Sequence, residues 1–223
     1  MADGSRRSGV QSIEVGGAIL RALTDAAGPV PLSAVARATG MSTAKVHRYL
    51  VSYVQTGLVA QNERSGSYDL GPLAVRMGLA AIERFDIVRV ASDRLEALRD
   101  QVEQTVLLAV WTDAGPTVAR IELSRHPVTL AVRIGTAFPL RTSATGRMFF
   151  AFAPELAASH DPAPDGPGRE LAAEVRSAGY TSVEQTFLVG VSAIAVPVFH
   201  GTGRLAAALT VIGQPAELDT ASR

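Results

Sequence analysis

The chain has 223 residues, enough for two modest domains. Its 21 lysines and arginines balance 21 aspartates and glutamates, which excludes a uniformly basic coat for nucleic acid but permits a local patch. With no cysteine, disulfides, Cys-ligated zinc and a Cys nucleophile are excluded. No apolar run approaches the roughly 20 residues needed to span a bilayer. The opening MADGSRRSGV lacks the hydrophobic core of a signal peptide, so a cytoplasmic protein with no membrane partner is expected.

Residues 1–11 are polar and small, and read as a disordered N-terminus. Ser12 is placed to cap a helix over Ile13–Ala26, whose inner face is Ile13, Ala18, Ile19, Ala22 and Leu23, and Gly28-Pro29 ends it. Pro31-Leu32-Ser33 opens a second short amphipathic helix, with Ser33 as its cap and Gly40 as its stop. A third helix follows in MSTAKVHRYLVSYVQTG. Val46, Tyr49, Leu50, Tyr53 and Val54 recur at steps of three and four and form one apolar stripe, closed by Gly57. The opposite face carries Ser42, Thr43, Lys45, His47, Arg48 and Ser52. These short hydroxyls and cations suit base edges and phosphates. Helix, glycine turn and a second helix with a polar first turn form the helix-turn-helix pattern.

Leu58–Ala60 and Ser67–Leu70 flank the polar turn Asn62–Gly66 and predict a β-hairpin, a wing with Arg64 at its tip. Residues 12–72 therefore read as a winged helix-turn-helix domain. Within residues 1–75, seven basic groups face five acidic ones, a net charge of +2. The placement of Lys45 and Arg48 matters more than that sum.

A linker helix is expected over 73–84, with Leu73, Met77, Ala80 and Ala81 in its pattern, and residues 85–223 form a second domain. A helix over Ile87–Val102 leads into α+β structure. Strands are expected at Thr105–Thr112, Thr117–Leu123, Val128–Ile134, Val191–Phe199 and Leu205–Ile212. Helices are expected at Arg147–Phe152 and Arg169–Ser177, the second after a linker at His160–Gly168. The nearly continuous apolar run Val191–Phe199 predicts a sheet covered on both faces.

A second candidate site lies at Leu140–Arg147. Small hydroxyl residues entering a helix leave backbone N–H groups and a positive dipole end, a seat for a carboxylate. Ordinary capping by Thr142 or Ser143 is the plain alternative. Catalysis has no support: the histidines show no triad or metal spacing, and no nucleophile elbow, P-loop or dinucleotide fingerprint is present.

Four stretches together resemble the IclR family of bacterial transcription regulators. They are Gly40–Leu50; Gly57-Leu58-Val59 with Tyr68–Pro72; Phe138-Pro139-Leu140 with Ser143–Arg147; and Gly179-Tyr180, Gly190-Val191 and Ile194–Phe199. The resemblance implies a winged helix-turn-helix, a linker helix and a GAF-like effector-binding domain with an antiparallel sheet. It implies a homodimer or homotetramer on double-stranded operator DNA that represses or activates adjacent genes, read here as a repressor, with a small-molecule effector and no cofactor. On this reading Ser42, Thr43, Lys45, His47, Arg48 and Arg64 contact DNA. Leu130, Leu140, Thr142, Ser143, Ala144, Val183, Val191, Ala193 and Thr210 contact the effector, with Val132 also in the wall. The chain departs from the family pattern in the order Thr43-Ala44-Lys45, in Val183-Glu184, where one of the usual acids is lost, and in Ala193 and Ile212 where Cys and Ser are common, with Thr210 retained. It also ends at Arg223, short of a C-terminal helix common in the family. The apolar replacements imply an aromatic or medium-chain carboxylate as effector. The competing reading is a small-molecule sensor whose winged helix binds protein and no DNA.

Overall fold

The structure is a computed structural model and describes residues 10–84, 86–125, 132–161, 165–186, 190–216 and 218. Leu130, the predicted strand residues 128–131, His126, residues 162–164 of the expected linker and most of the N-terminal tail lie outside the described residues. The chain divides into two compact units, Met1–Ile82 and Glu83–Arg223.

The first unit holds α1 (Gln11–Thr24), α2 (Leu32–Thr39), α3 (Thr43–Thr56), a hairpin of β1 (Val59–Gln61) and β2 (Tyr68–Leu70), and most of α4 (Pro72–Arg84). Its core is the convergence of three amphipathic faces: Ile19 and Leu23 from α1, Val35 and Ala36 from α2, and Val46 and Leu50 from α3. Val59 and Tyr68 of the hairpin close it. Val30 and Tyr68 exchange backbone hydrogen bonds at 2.9 and 2.8 Å, which ties the hairpin to the α1–α2 connection.

Several local expectations are corrected here. Ser12 does not cap α1, which begins at Gln11 behind an extended Val10 with no side-chain cap. Ile13 is 73% exposed, so the buried face of α1 is Gly16, Ile19 and Leu23. Ser33 lies inside α2, because the Pro31 carbonyl takes the first N–H groups, those of Ala34 and Val35. In α3, Val46 and Leu50 are fully buried and Tyr49 and Tyr53 half-buried, but Val54 is exposed. Gly40 and Gly57 end α2 and α3 at φ +67° and +77°, left-handed positions that glycine occupies without strain.

The second unit is an antiparallel sheet of five strands in the order β4-β3-β7-β6-β5. The strands are β3 (Thr105–Thr112), β4 (Gly115–Glu122), β5 (Thr181–Glu184), β6 (Ser192–Phe199) and β7 (Leu205–Gly213). Side chains alternate across β3. Val106, Leu108 and Val110 pack with Val88 and Leu95 of α5 (Asp86–Val102) on one face. Leu107 and Ala109 pack on the other face with Ala144, Met148, Phe149 and Phe150 of α6 (Ala144–Phe152), alongside Ala172 and Val175 of α8 (Gly166–Ala178).

The short α7 (Pro154–Ala157) and the strand β5 were not expected from sequence. Val132–Ile134, the described part of the expected third strand, is loop. There Gly135, at φ +87°, donates to the Val118 carbonyl at 2.8 Å. The nearly apolar β6 is covered less completely than expected: Val196 and Phe199 are exposed. β5 pairs with Ser192–Ala195, so among the described residues Val196–Phe199, including Pro197, is paired on the β7 side alone.

Candidate functional site

Two sites come from the two units, each by itself. In the first, Ser42 is extended and its hydroxyl accepts the Lys45 N–H at 3.4 Å, so this residue is the cap that starts α3. Thr43, His47 and Arg48 are exposed and Lys45 is half-buried; Arg48 stands on the side away from Val46 and Leu50, Lys45 and His47 flank it, and Thr43 sits at the exposed N-terminal end of the Val46–Leu50 stripe. The same outer surface carries Ala44, Val51 and Gln55, which were not singled out from the sequence. Val51, 42% exposed, is with Ala44 an apolar group on a mainly polar face, of the kind that meets a thymine methyl. The hairpin turn is held by Asn62, whose side-chain oxygen accepts the N–H groups of Arg64 and Ser65 at 2.9 and 3.1 Å. Arg64 is exposed at that turn. The arrangement is a rigid helix with a cationic, hydroxylated face, followed at once by a two-stranded wing.

The second site forms around the start of α6. The Ser143 hydroxyl accepts the Gly146 N–H at 2.9 Å and donates to the Pro139 carbonyl at 2.7 Å. One small residue thus caps the helix and fixes the loop before it. The first-turn N–H groups of Ala144 and Thr145 have no intrahelical acceptor. Ser143, Ala144, Val183, Val191, Ala193 and Thr210 line one small cavity together with Phe138, Thr145 and Ile212. The Thr145 and Thr210 hydroxyls meet at 2.9 Å. Thr145 escaped the sequence reading because its partner is 65 positions away on β7.

Leu140 and Thr142 are not in that wall. Leu140 turns toward a separate cleft, and Thr142 is exposed because Ser143 has taken the capping position. Val132 is buried in the same core but does not line the cavity.

Arginines frame this region without facing the cavity. Arg141 is bound by Asp161 at 2.5 Å and Asp165 at 2.8 Å, and its guanidinium lies 5.4 Å from the Phe150 ring centroid. The hydrogen bond to Asp161, above all, raises the Arg141 pKa. Arg147 donates to the Arg141 carbonyl at 2.9 Å and the Ser182 carbonyl at 3.3 Å, joining the loop to β5. Burial lowers its pKa, opposed by Glu174. His160 lies edge-on to Trp111, with ring centroids 5.2 Å apart. Its ring nitrogens meet the Ser159 hydroxyl at 2.8 Å and the Asp113 carbonyl at 3.1 Å. Among the described residues no group of three or more His, Asp or Glu side chains is arranged to hold a metal, and no helix is long and apolar enough to cross a membrane.

Asp165 gives a pH dependence. The Gly168 N–H first, and Arg141 after it, hold its carboxyl below the usual carboxylate range. A depressed folded-state pKa adds stability above the unfolded value, about 3.9, and that contribution is lost as pH falls through the folded value. Asp165→Asn is therefore expected to flatten the loss of melting temperature between about pH 5 and pH 2. Identical acid limbs for both proteins would contradict it.

Residues 12–63 match the IclR helix-turn-helix domain, and residues 79–160 match the C-terminal domain of the bacterial transcriptional regulator IclR. The chain is 37% identical to Pseudomonas aeruginosa HmgR, whose crystal structure it matches with a TM-score of 0.74 over 92% of this chain and 89% of that one. It is 27% identical over 222 residues to the DNA-binding transcriptional repressor YiaJ of Escherichia coli, covering 92% of this chain and 79% of that protein. An IclR homolog from Microbacterium hydrocarbonoxydans, solved with 4-hydroxybenzoate, shares the fold with a TM-score of 0.77 at 20% identity, over 91% of this chain and 88% of that one. A winged helix-turn-helix unit, a helix-flanked antiparallel sheet and these matches identify the chain as a member of the IclR family of bacterial transcriptional regulators.

Proposed function

We propose that the protein is a dimeric repressor that releases its operator when a compact aromatic acid binds the second unit. Thr43, Lys45, His47 and Arg48 of α3 read and grip the DNA, Ser42 aligns them, and Arg64 of the wing reaches a phosphate or the minor groove. The observation that carries the DNA-binding half is the outer face of α3, where Arg48 and Ser52 stand opposite the fully buried Val46 and Leu50, with Lys45 and His47 on its flanks.

The effector half rests on the cavity at the start of α6. Among the described residues its wall is apolar except for Ser143 and the paired Thr145 and Thr210 hydroxyls. Such a wall favours a ring over a two-carbon acid. The ligand held by the Microbacterium hydrocarbonoxydans homolog is of this class. α4 is the covalent path between the units. Through it the effector changes the spacing of two recognition helices, a coupling typically worth about 1–3 kcal/mol.

The test is fluorescence anisotropy with DNA from upstream of the protein's own gene, in a salt series with random DNA as competitor. Specific binding that weakens steeply with salt, and that 4-hydroxybenzoate reduces about fivefold or more, is the expected result. Binding no tighter than to random DNA would refute the operator reading. Binding indifferent to every aromatic acid tried would refute the effector reading.

A further inference from the structure

The cavity at the start of α6 has a volume of about 20 Å³, room for about one ordered water. Sites for small organic ligands commonly enclose about 300–1,000 Å³. A cleft of that larger size lies beside it, about 440 Å³, lined by Pro116, Ala137, Leu140, Arg141, His160 and Asp161 among others. Among the described residues Phe138 alone lines both spaces, and it is buried, with 6% of its surface exposed.

We propose that Phe138 is the gate of the effector cavity: its ring swings into the cleft, and a single-ring ligand takes the place the ring leaves. This rests on the effector reading above and adds to it the route of entry and the size of the guest.

The backbone decides what can move. The Phe138 N–H donates to the Pro116 carbonyl at 2.8 Å, and the neighbouring Thr136 carbonyl accepts the Val118 N–H at 2.9 Å. On the other side, the Pro139 carbonyl accepts the Ser143 hydroxyl at 2.7 Å. The main chain is thus tied to β4 before Phe138 and to the start of α6 after it. Opening is a rotation of the side chain and leaves the loop in place. The cleft offers the ring somewhere to go, which a close-packed interior otherwise denies. Its far rim is fixed by Arg141 on Asp161 and Asp165. A ligand ring no larger than the departing phenyl fills the vacancy with the same apolar contacts, so the device selects monocyclic over fused-ring acids.

The absence of cysteine makes the gate measurable without knowing the ligand. Thr210→Cys places one thiol on the wall of the cavity, where residue 210 is buried. Ala208→Cys places one in the same core, also buried but outside the lining. Each is reacted with dithiobis-nitrobenzoate, an aromatic disulfide, in the folded full-length protein. With Phe138→Ala, labelling of Cys at 210 is expected to accelerate about tenfold or more, and with Phe138→Trp to slow, while Cys at 208 is unaffected. Phe138→Leu, which keeps more of the apolar fill, gives an intermediate rate and serves where the alanine variant folds poorly.

Rates at 210 independent of residue 138 would overturn the gate and place entry past Val191 and Ala193. Equal acceleration at 208 and 210 would overturn it too, as a general loosening of the core. A rate that depends on Phe138 but is not slowed by saturating 4-hydroxybenzoate or benzoate supports the gate and removes the effector reading instead.

Discussion

Gly146→Ala is expected to destabilise the second unit and to abolish any response to effector. A Cβ at 146 would stand 2.0 Å from the Pro139 carbonyl oxygen and 2.7 Å from the Leu140 Cα. Both are main-chain atoms, so no rotamer change relieves the overlap, and either α6 or the loop must retreat. Overpacking of this kind costs about 1–3 kcal/mol, occasionally more. The retreat also strains two contacts that hold the loop down: the Ser143 hydroxyl on the Pro139 carbonyl and the Arg147 guanidinium on the Arg141 carbonyl. Thermal denaturation followed by circular dichroism should show a fall of several degrees. Gly78→Ala is the control, because its Cβ would meet nothing within 4 Å and it sits inside α4. There alanine replaces a helix-interior glycine, and stability should hold or rise by up to about 1 kcal/mol. A Gly146→Ala protein that melts with the wild type would show that the approach of α6 to the loop is looser than the structure has it.

Replacing Lys45 and Arg48 together by alanine should weaken operator binding at least about tenfold and lower the slope of log affinity against log salt by roughly two. Neither side chain belongs to the core of the first unit, which is built from Ile19, Leu23, Val35, Val46, Leu50 and their neighbours. The double variant should therefore keep the wild-type melting temperature. The two readouts separate two roles. A cation that only grips phosphate lowers the affinity for all sequences alike and reduces the salt slope by about one. A cation bonded to a base edge also narrows the gap between operator and random DNA, by about 1–3 kcal/mol for a good pair. Arg48→Ala and Lys45→Ala measured singly against both DNAs assign a role to each residue. An operator affinity within twofold of the wild type would mean that the recognition face lies elsewhere on the winged helix.

The recognition helix was legible because its signal is periodic. Val46 and Leu50 repeat at helical spacing, and Gly40 and Gly57 punctuate it where a left-handed residue is required. β3 was legible to the residue, Thr105–Thr112, since it is a run of β-branched and aliphatic side chains between turn formers. Caps were less so. Ser12, Ser33 and Thr142 are all plausible caps by residue type, but whether the preceding backbone is extended is settled by packing. Val10, Pro31 and Ser143 hold those positions.

β5 escaped notice because Thr181–Glu184 is four residues of mixed polarity. Its partner Ser192–Ala195 supplies the pairing that its own sequence does not announce. For the second site, the sequence could nominate small and apolar residues near α6 but could not sort them between adjacent hollows. Leu140 and Phe138 are two positions apart on the same loop, and so point alike in a pattern argument. Only the tertiary trace shows that Phe138 borders both spaces while Leu140 borders the cleft alone.

Pro197 has a meaning beyond local geometry. The β6–β7 ladder runs unbroken through Pro197 opposite Ala208. A proline is tolerated within a ladder only where its nitrogen points away from the pairing. The missing donor therefore belongs to the side of β6 that β5 leaves bare. The same stretch of β6 carries exposed Val196 and Phe199 on its faces, and an unpaired edge beside exposed apolar side chains invites strand addition and aggregation. One imino ring denies an incoming strand its hydrogen-bond register there, and so disfavours edge-to-edge association along the stretch of β6 that no described strand covers.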